Sequence, residues 1–308
     1  MYNTRFRLIH LHRCNPTTRA LIHKILRIDP TLTTIYDLKP TALMSMLSIS
    51  SERANKLYQD LHNQNIIESI HQDLEKFHTW TILDPNYPLA LRIIPDPPLV
   101  LYGLGNPELL NHNPSLSVIG TRNPSPEAKR KMHYILTPLV KADWLFVSGM
   151  ALGIDGYAHK MACHYEGKTI AVLGSGLQHI YPKQHRELYR KLVQEQLVIS
   201  EYPPDFPPQR YYFPERNRII SGLGFGTIVI EAKEKSGSLI TVDQALEQSR
   251  EVYAVPGAPW LVQTNGCHKM IQDGAKLVQN TSDLIEEWEQ IKQKWCQTLI
   301  EFGQIYAN

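Results

Sequence analysis

The chain has 308 residues, of which 43% are hydrophobic and 20% charged, an ordinary globular composition with room for one large domain and a smaller one. No window reaches the roughly 18 uninterrupted apolar residues of a membrane span, and the opening MYNTRFRLIHLHRC lacks the apolar stretch of a signal peptide, so a cytoplasmic address with no membrane partner is expected. A net charge of +2 does not by itself announce a nucleic-acid binder, and four cysteines without CxxC spacing read as free thiols rather than a disulfide framework or a zinc site.

Residues 1–75 are expected to form a small all-α domain. TTRALIHKIL, TALMSML and SERANKLYQDLHNQ each place apolar residues three or four apart, with Pro30, Pro40 and the polar Ser48–Ser51 turn between them. The pattern suits a small bundle of the helix-hairpin-helix kind. LSIS, however, has no glycine where such a hairpin approaches phosphate, which favours a packing or partner role. Residues 80–107 are rich in proline and should be extended or turned, placing the domain join just before them.

From residue 115 the rhythm changes. SLSVIG, WLFVSG, TIAVLG, LVISE, TIVIEA and VYAVPG are short β-branched runs that end in glycine or small polar loops, with amphipathic stretches such as EAKRKMHYILTPLVKA and VDQALEQSR between most of them. This alternation predicts an α/β, Rossmann-like domain over residues 76–280 with a mostly parallel sheet covered by helices on both faces. Residues 281–308 read as a final helix. Thr281 or Ser282 is its expected N-cap, and Leu284, Trp288, Ile291, Trp295 and Leu299 form an apolar docking stripe.

In open α/β sheets, ligands bind beyond the carboxyl ends of the strands. The loops there offer Gly120, Thr121 and Arg122, then Ser148 and Gly149, Gly174 and Gly176, and Gly237 in EAKEKSGS. They form neither GxGxxG nor GxxxxGK[ST], so a redox dinucleotide or a P-loop nucleotidase is not expected, and no cofactor is foreseen. Asp155, His159 and Cys163 share a helix face at metal-ligand spacing, but with no further ligand in view a structural role is favoured. Glu231 ends the run GTIVIEA and reads as a carboxylate that caps backbone amides or pairs with Arg216 or Arg218.

The positive charge is concentrated locally. Residues 122–131 and 183–191 each carry four basic and one acidic side chain, and residues 209–218 carry three and one, so the rest of the chain is net negative. Arg122, Lys183 and Arg210 follow different strands and should project from one sheet edge, among Tyr181, Tyr211, Tyr212 and Phe213. Cations for phosphates and rings for bases suit single-stranded nucleic acid. Lys129, Arg130, Lys131, Arg190 and Lys191 read instead as solvated helix faces. In RYYFPERNRIISGL, Arg210 together with Tyr212 or Phe213 faces the ligand edge, IISGL is a core helix, and Arg216, Asn217 and Arg218 either brace neighbouring loops or touch phosphate.

The ordered motifs YPLALRIIPDPPLVLYGLGN, SVIGTR, VSGMALGIDGYAHKMA, TIAVLGSGLQHIYPKQHREL, ISEYPP, FPERNRIISGL and TIVIEAKEKSGSLITVDQALEQSREVYAVPG, over roughly residues 80–280, resemble the DprA/Smf family (DNA-processing protein A). The resemblance implies a cytoplasmic bacterial protein whose extended Rossmann domain follows a sterile-alpha-motif-like helical domain. It further implies a non-enzymatic homodimer that binds single-stranded DNA and loads RecA recombinase onto it in natural transformation. Arg122, Lys183 and Arg210 match the family's DNA-contact positions. Two departures stand out: no winged-helix-like domain follows the last helix, so that domain's function is expected to be missing, and Cys267 and His268 stand where relatives commonly have a small residue and asparagine. The alternative is an enzyme or sensor for a nucleotide-derived ligand. SGLGFGTIVIEA resembles the GTxxE loop of Rossmann-like phosphoribohydrolases, with its paired glycines reduced to Gly222, Gly224 and Gly226.

Overall fold

The protein is described by a computed structural model over residues 2–15 and 17–305. It divides into two compact units, one of Met1–Tyr87 with Pro98–Tyr102 and one of Pro88–Pro97 with Gly103–Asn308.

The first unit is built mainly from the helices Thr4–Arg13, Arg19–Ile28, Thr34–Asp37, Pro40–Leu47, Ser51–Leu61 and Gln64–Lys76. Their starts are fixed locally. The side chains of Asn3, Thr18, Ser50 and Asn63 each accept a backbone N–H of the following first turn, and Pro40 supplies a pre-set φ at the start of its helix. Leu8, Leu11, Ile25, Leu43, Leu57 and Ile70 are fully buried and form the unit's core. The buried pair Arg13–Asp73, at 2.5 Å, ties the first helix to the last. Strand β1 (His78–Thr81) follows, and the chain passes from one unit into the other within β2 (Val100–Gly105). Prolines surround both strands and hide them from a periodicity reading.

The second unit is the α/β Rossmann-like domain that the alternation predicts. Its strands are β3 (Ser115–Ile119), β4 (Leu145–Ser148), β5 (Lys168–Leu173), β6 (Leu197–Ser200), β7 (Gly226–Val229), β8 (Glu251–Ala254) and the short β9 (Lys276–Leu277). They lie in the order β6-β5-β4-β3-β7-β8-β9, and every neighbouring pair is parallel. β3, β4, β6 and β7 are buried at every residue, which is why they appear in the sequence as unbroken apolar runs. β9, with two residues, carries no pattern to read.

The helix Tyr212–Leu223 is pinned to the sheet by two buried hydroxyls of β3. Ser115 donates to Leu223 O at 2.7 Å and Ser117 to Ile220 O at 2.6 Å. The final helix, Thr281–Ile305, docks through the expected stripe: Leu284, Trp288 and Trp295 belong to the core, with Ile291 and Leu299 packed against it. Its N-cap is Asn280, not Thr281 or Ser282. The Asn280 carboxamide accepts the Ser282 N–H at 2.8 Å and the Asp283 N–H at 3.3 Å, while Thr281 is already helical and donates its hydroxyl to Ile135 O. Among the described residues, no helix is long and apolar enough to cross a membrane.

Candidate nucleic-acid interface

The strand order reverses at β3. From β3 the chain proceeds outward through β4, β5 and β6, then returns to place β7 on the opposite side of β3 and continues outward through β8. The loops leaving β3 and β7 therefore diverge and open a crevice at the carboxyl edge, the usual ligand position in such sheets. An open cleft of ≈ 410 Å³ lies there, lined by Gly120, Thr121, Arg122 and Asn123 after β3, by Lys233, Lys235, Ser236, Gly237 and Ser238 after β7, and by Asp155, Arg216 and Asn217 between them. A smaller hollow of ≈ 40 Å³ shares Arg122 and Arg216 and adds Gly149, Tyr181 and Phe213.

Two glycines make this approach possible. Gly153 has φ +80°, and a Cβ there would lie 2.3 Å from Thr121 O and 2.7 Å from Arg122 O, so only glycine lets the β4 loop pass beneath the β3 loop and leave Arg122 pointing outward. Gly149 acts through space rather than conformation: its missing Cβ would lie 2.6–2.7 Å from the Arg216 guanidinium. That guanidinium therefore lies flat on the backbone, donating to Gly149 O at 2.7 Å and to Val172 O. Burial lowers its pKa to about 10, an effect that the nearby Asp155 carboxylate opposes. Burial in turn pushes the Asp155 carboxyl up, against Arg216 and the Gly149 N–H that it accepts at 3.1 Å.

Arg122, Lys183 and Arg210 are all exposed, and none forms an ion pair with another described residue. Arg122 lies in both the cleft and the hollow. Lys183 follows Pro182, which lines the hollow, and Arg210 lies two residues before the helix that carries Phe213 and Arg216. Of the rings expected beside them, Tyr181 and Phe213 share the hollow with Arg122, while Tyr212 stacks inward on Tyr202 at 3.6 Å. Tyr181 is 46% exposed and tilts against Phe213 at 5.2 Å, and Tyr211 is 60% exposed with its edge on Tyr212 at 4.7 Å.

Other expected contacts are internal. Ser148 is fully buried and donates its hydroxyl to Val118 O at 2.6 Å, so it stitches β4 to β3 and cannot reach a ligand. Gly174 makes room for the Phe213 ring and Gly176 for the Pro203 and Pro204 carbonyls, so both serve packing. Arg218 is buried and held in a two-pronged pair with Glu201, at 2.7 and 2.9 Å, while also donating to Asp96. It is a brace rather than a phosphate contact. Asn217 lines the cleft and accepts the Arg216 Nε–H at 3.1 Å.

Glu231 caps a backbone amide as expected, but its partners are neither Arg216 nor Arg218. It accepts the Ser125 N–H at 2.8 Å, the Ser125 hydroxyl at 2.6 Å and Lys131 at 3.0 Å. Asp155, His159 and Cys163 do not converge, and no cluster of metal-ligating side chains occurs among the described residues. Cys267 is fully buried, and His268 places Nε2 3.0 Å from Gly257 O, so neither is a cleft residue. The sequence reading overlooked Lys233 and Lys235. Their alternation with Glu231 and Glu234 makes EAKEK look like a neutral surface turn, although Glu231 is directed inward.

The sequence matches the family model for DNA recombination-mediator protein A over residues 78–289. It is 43% identical over 210 residues to DNA processing protein DprA of Bacillus subtilis, covering 68% of this chain and 71% of that one. With DNA processing protein DprA of Streptococcus pneumoniae it shares 40% identity over 247 residues, covering 80% and 87% of the two chains. The X-ray structure of DprA from Streptococcus pneumoniae superposes with a TM-score of 0.81 at 35% identity, covering 93% of this chain and 99% of that one. A structure of DNA processing protein A from Helicobacter pylori, concerned with that protein's single-stranded DNA binding mode, superposes with a TM-score of 0.63 at 29% identity over 70% of this chain and 96% of that one. With a family match over most of its length and a shared fold, this chain belongs to the DNA recombination-mediator protein A family.

Proposed function

We propose that this protein binds single-stranded DNA without sequence preference along the carboxyl edge of its parallel sheet and loads RecA recombinase onto that DNA in natural transformation and recombination. The observation that carries the reading is Arg122, an exposed cation without an ion pair among the described residues that lines both the strand-reversal cleft and the hollow beside the exposed Tyr181 ring, with Lys183 and Arg210 likewise exposed and unpaired on neighbouring loops. Phosphates meet the arginines, the lysines and the backbone amides of the β3 and β7 loops, while bases stack on the rings. None of these contacts reads a base edge, so binding is sequence-tolerant and salt-sensitive.

The protein acts as a binder in the cytoplasm, without cofactor or catalysis. The acid that a phosphoribohydrolase-like reaction would call on, Glu231, is fully buried, accepts three hydrogen bonds and does not line the cleft. A homodimer supplies avidity by linking two short sites. The helical segment 1–75 serves as a packing or partner module.

Titration of fluorescent oligo-dT against wild type, Arg122→Ala and Lys183→Glu at several salt concentrations tests the reading. Wild type should bind with a steep negative salt slope, and each variant should bind more weakly, with a slope shallower by about 0.7 for each phosphate it no longer neutralises. Wild-type protein that ignores oligo-dT yet is stabilised thermally by a nucleoside monophosphate would overturn it.

A further inference from the structure

The helices Ala128–Lys141, of 14 residues, and Ile154–His164, of 11, begin at the carboxyl ends of β3 and β4 and pack side by side. Their charge is one-sided. The two sequences, AKRKMHYILTPLVK and IDGYAHKMACH, contain Lys129, Arg130, Lys131, Lys141 and Lys160 against a single carboxylate, the buried Asp155. Solvated helices usually mix both signs. Elsewhere in this domain exposed lysines pair with acids, as in Lys191–Glu195, Lys269–Asp273 and Lys292–Glu289.

A groove of ≈ 430 Å³ lies on the seam between the two helices, lined by Lys129, His133, Tyr157, Lys160, Met161 and His164. The spacing makes the pattern continuous. Lys129, His133 and Lys141 recur at multiples of four residues on one helix, and Tyr157, Lys160, Met161 and His164 at short helical steps on the other. Lys129 Nζ sits 4.9 Å from the Tyr157 ring centroid and Lys141 Nζ 5.6 Å from that of Tyr165. Neither lysine, nor Lys160, forms an ion pair with a described residue. Tyr157 and Tyr165 are half-buried, each packed against the core with a lysine ammonium over its ring, so a base would stack there by displacing the lysine towards phosphate. From Lys129 to Lys141 the helix rises about 18 Å.

We propose that this seam is a second nucleic-acid subsite, a track that carries single-stranded DNA away from the carboxyl-edge cleft and down the helical face. It rests on the single-stranded DNA reading above and lengthens that site. Interleaved cations and tyrosine rings, with no carboxylate lining the groove, are the chemistry of a sequence-tolerant single-strand track. The seam starts near the first turn of each helix, next to the loop that carries Arg122, so the cleft and the track are consecutive along one strand.

The test compares oligo-dT of about six nucleotides, long enough for the cleft, with oligo-dT of about twenty, long enough for both segments. The proteins are wild type, Lys129→Glu/Lys160→Glu and Tyr157→Ala. Both lysines are exposed, and their replacement should leave the thermal midpoint unchanged. The longer strand should bind wild type more tightly and with a steeper salt slope. The lysine variant should lose roughly tenfold or more in affinity for the longer strand, and its slope should fall by about 1.4 for two phosphates, while binding of the short strand is unchanged. Ultraviolet crosslinking of 5-iodouridine-substituted oligo-dT should mark Tyr157 in the longer complex alone. Equal affinity of wild type and the lysine variant for the longer strand would overturn the track while leaving the cleft reading intact. Wild type that binds neither length would overturn both.

Discussion

Replacing Gly149 by alanine adds one methyl directly against the Arg216 guanidinium, which lines both the cleft and the hollow. The backbone there has no positive φ, so alanine is not strained by conformation, and the cost comes entirely from what the methyl meets. The three nearest atoms are the Cζ, Nη1 and Nη2 of Arg216 at 2.6–2.7 Å, against about 3.5–4.0 Å for a comfortable contact. The guanidinium must therefore retreat by about 1 Å. Its hydrogen bond to Gly149 O, now 2.7 Å, would stretch beyond bonding range, and the one to Val172 O would weaken with it. Charge-assisted bonds of this kind contribute about 1.5–3 kcal/mol each, and the open cleft lets water recover part of the loss. Taken with overpacking of about 1–3 kcal/mol, the net destabilisation should be about 2–4 kcal/mol, read as a lower midpoint in urea unfolding. In the double variant Gly149→Ala/Arg216→Met, the flexible side chain can yield to the methyl, so the two losses should fall short of their sum by at least about 1 kcal/mol. A Gly149→Ala midpoint indistinguishable from wild type, or strictly additive losses, would refute the account of how Arg216 is seated.

Glu201→Gln should destabilise the protein by about 1.5–3 kcal/mol in the same assay, because the buried Arg218 loses its two-pronged carboxylate and keeps Asp96 as a charged acceptor. Arg218→Met should change stability more than oligo-dT affinity, and the opposite result would return Arg218 to the ligand site. His159 gives a pH signature. The Thr169 hydroxyl donates to Phe146 O at 2.8 Å, so it accepts from His159 Nδ1 at 2.7 Å, and full burial lowers the imidazole pKa from 6.5 to about 3. Only the unfolded chain takes up that proton at mildly acid pH, so stability should fall as the pH drops below about 6.5 and keep falling towards about 3. His159→Gln should flatten the decline, and an unchanged pH profile in that variant would count against a neutral buried ring.

The central parallel strands were legible because burial on both faces removes polar residues from them, so SLSVI, KTIAVL and GTIV stand out against the amphipathic helices between them. β1 and β2 were not, because HTWT and VLYGLG are short and lie among prolines whose backbone limits match those of turns. The cleft lining was legible where charge had no internal partner, as at Arg122. It was misread where a group at a strand end faces inward. Nothing local distinguishes the hydroxyl of Ser148, which donates to a neighbouring strand, from one awaiting a ligand. Arg216 and Arg218 sit two residues apart on one helix, and their acceptors, Gly149 O and Glu201, are 67 and 17 residues away in the chain. Lys129 makes the reverse point: as an isolated residue it reads as solvated, and nothing in its own helix announces the Tyr157 ring that its ammonium overlies from the neighbouring one.

The reversal of strand order at β3 also bears on when the site comes into being during synthesis. The two loops that wall the cleft are stitched together by Ser125 and Glu231, 106 residues apart in sequence. A ribosome-bound chain that has already displayed Arg122 still lacks the opposing wall until β7 has emerged and slotted in beside β3. The helix Tyr212–Leu223 cannot deliver Arg216 until it can fasten to the hydroxyls of Ser115 and Ser117. Such long-range closure is slow compared with local helix formation. The cleft is thus completed late, on a domain whose sheet is nearly finished, and a partly made chain presents its basic β3 loop without the opposing wall.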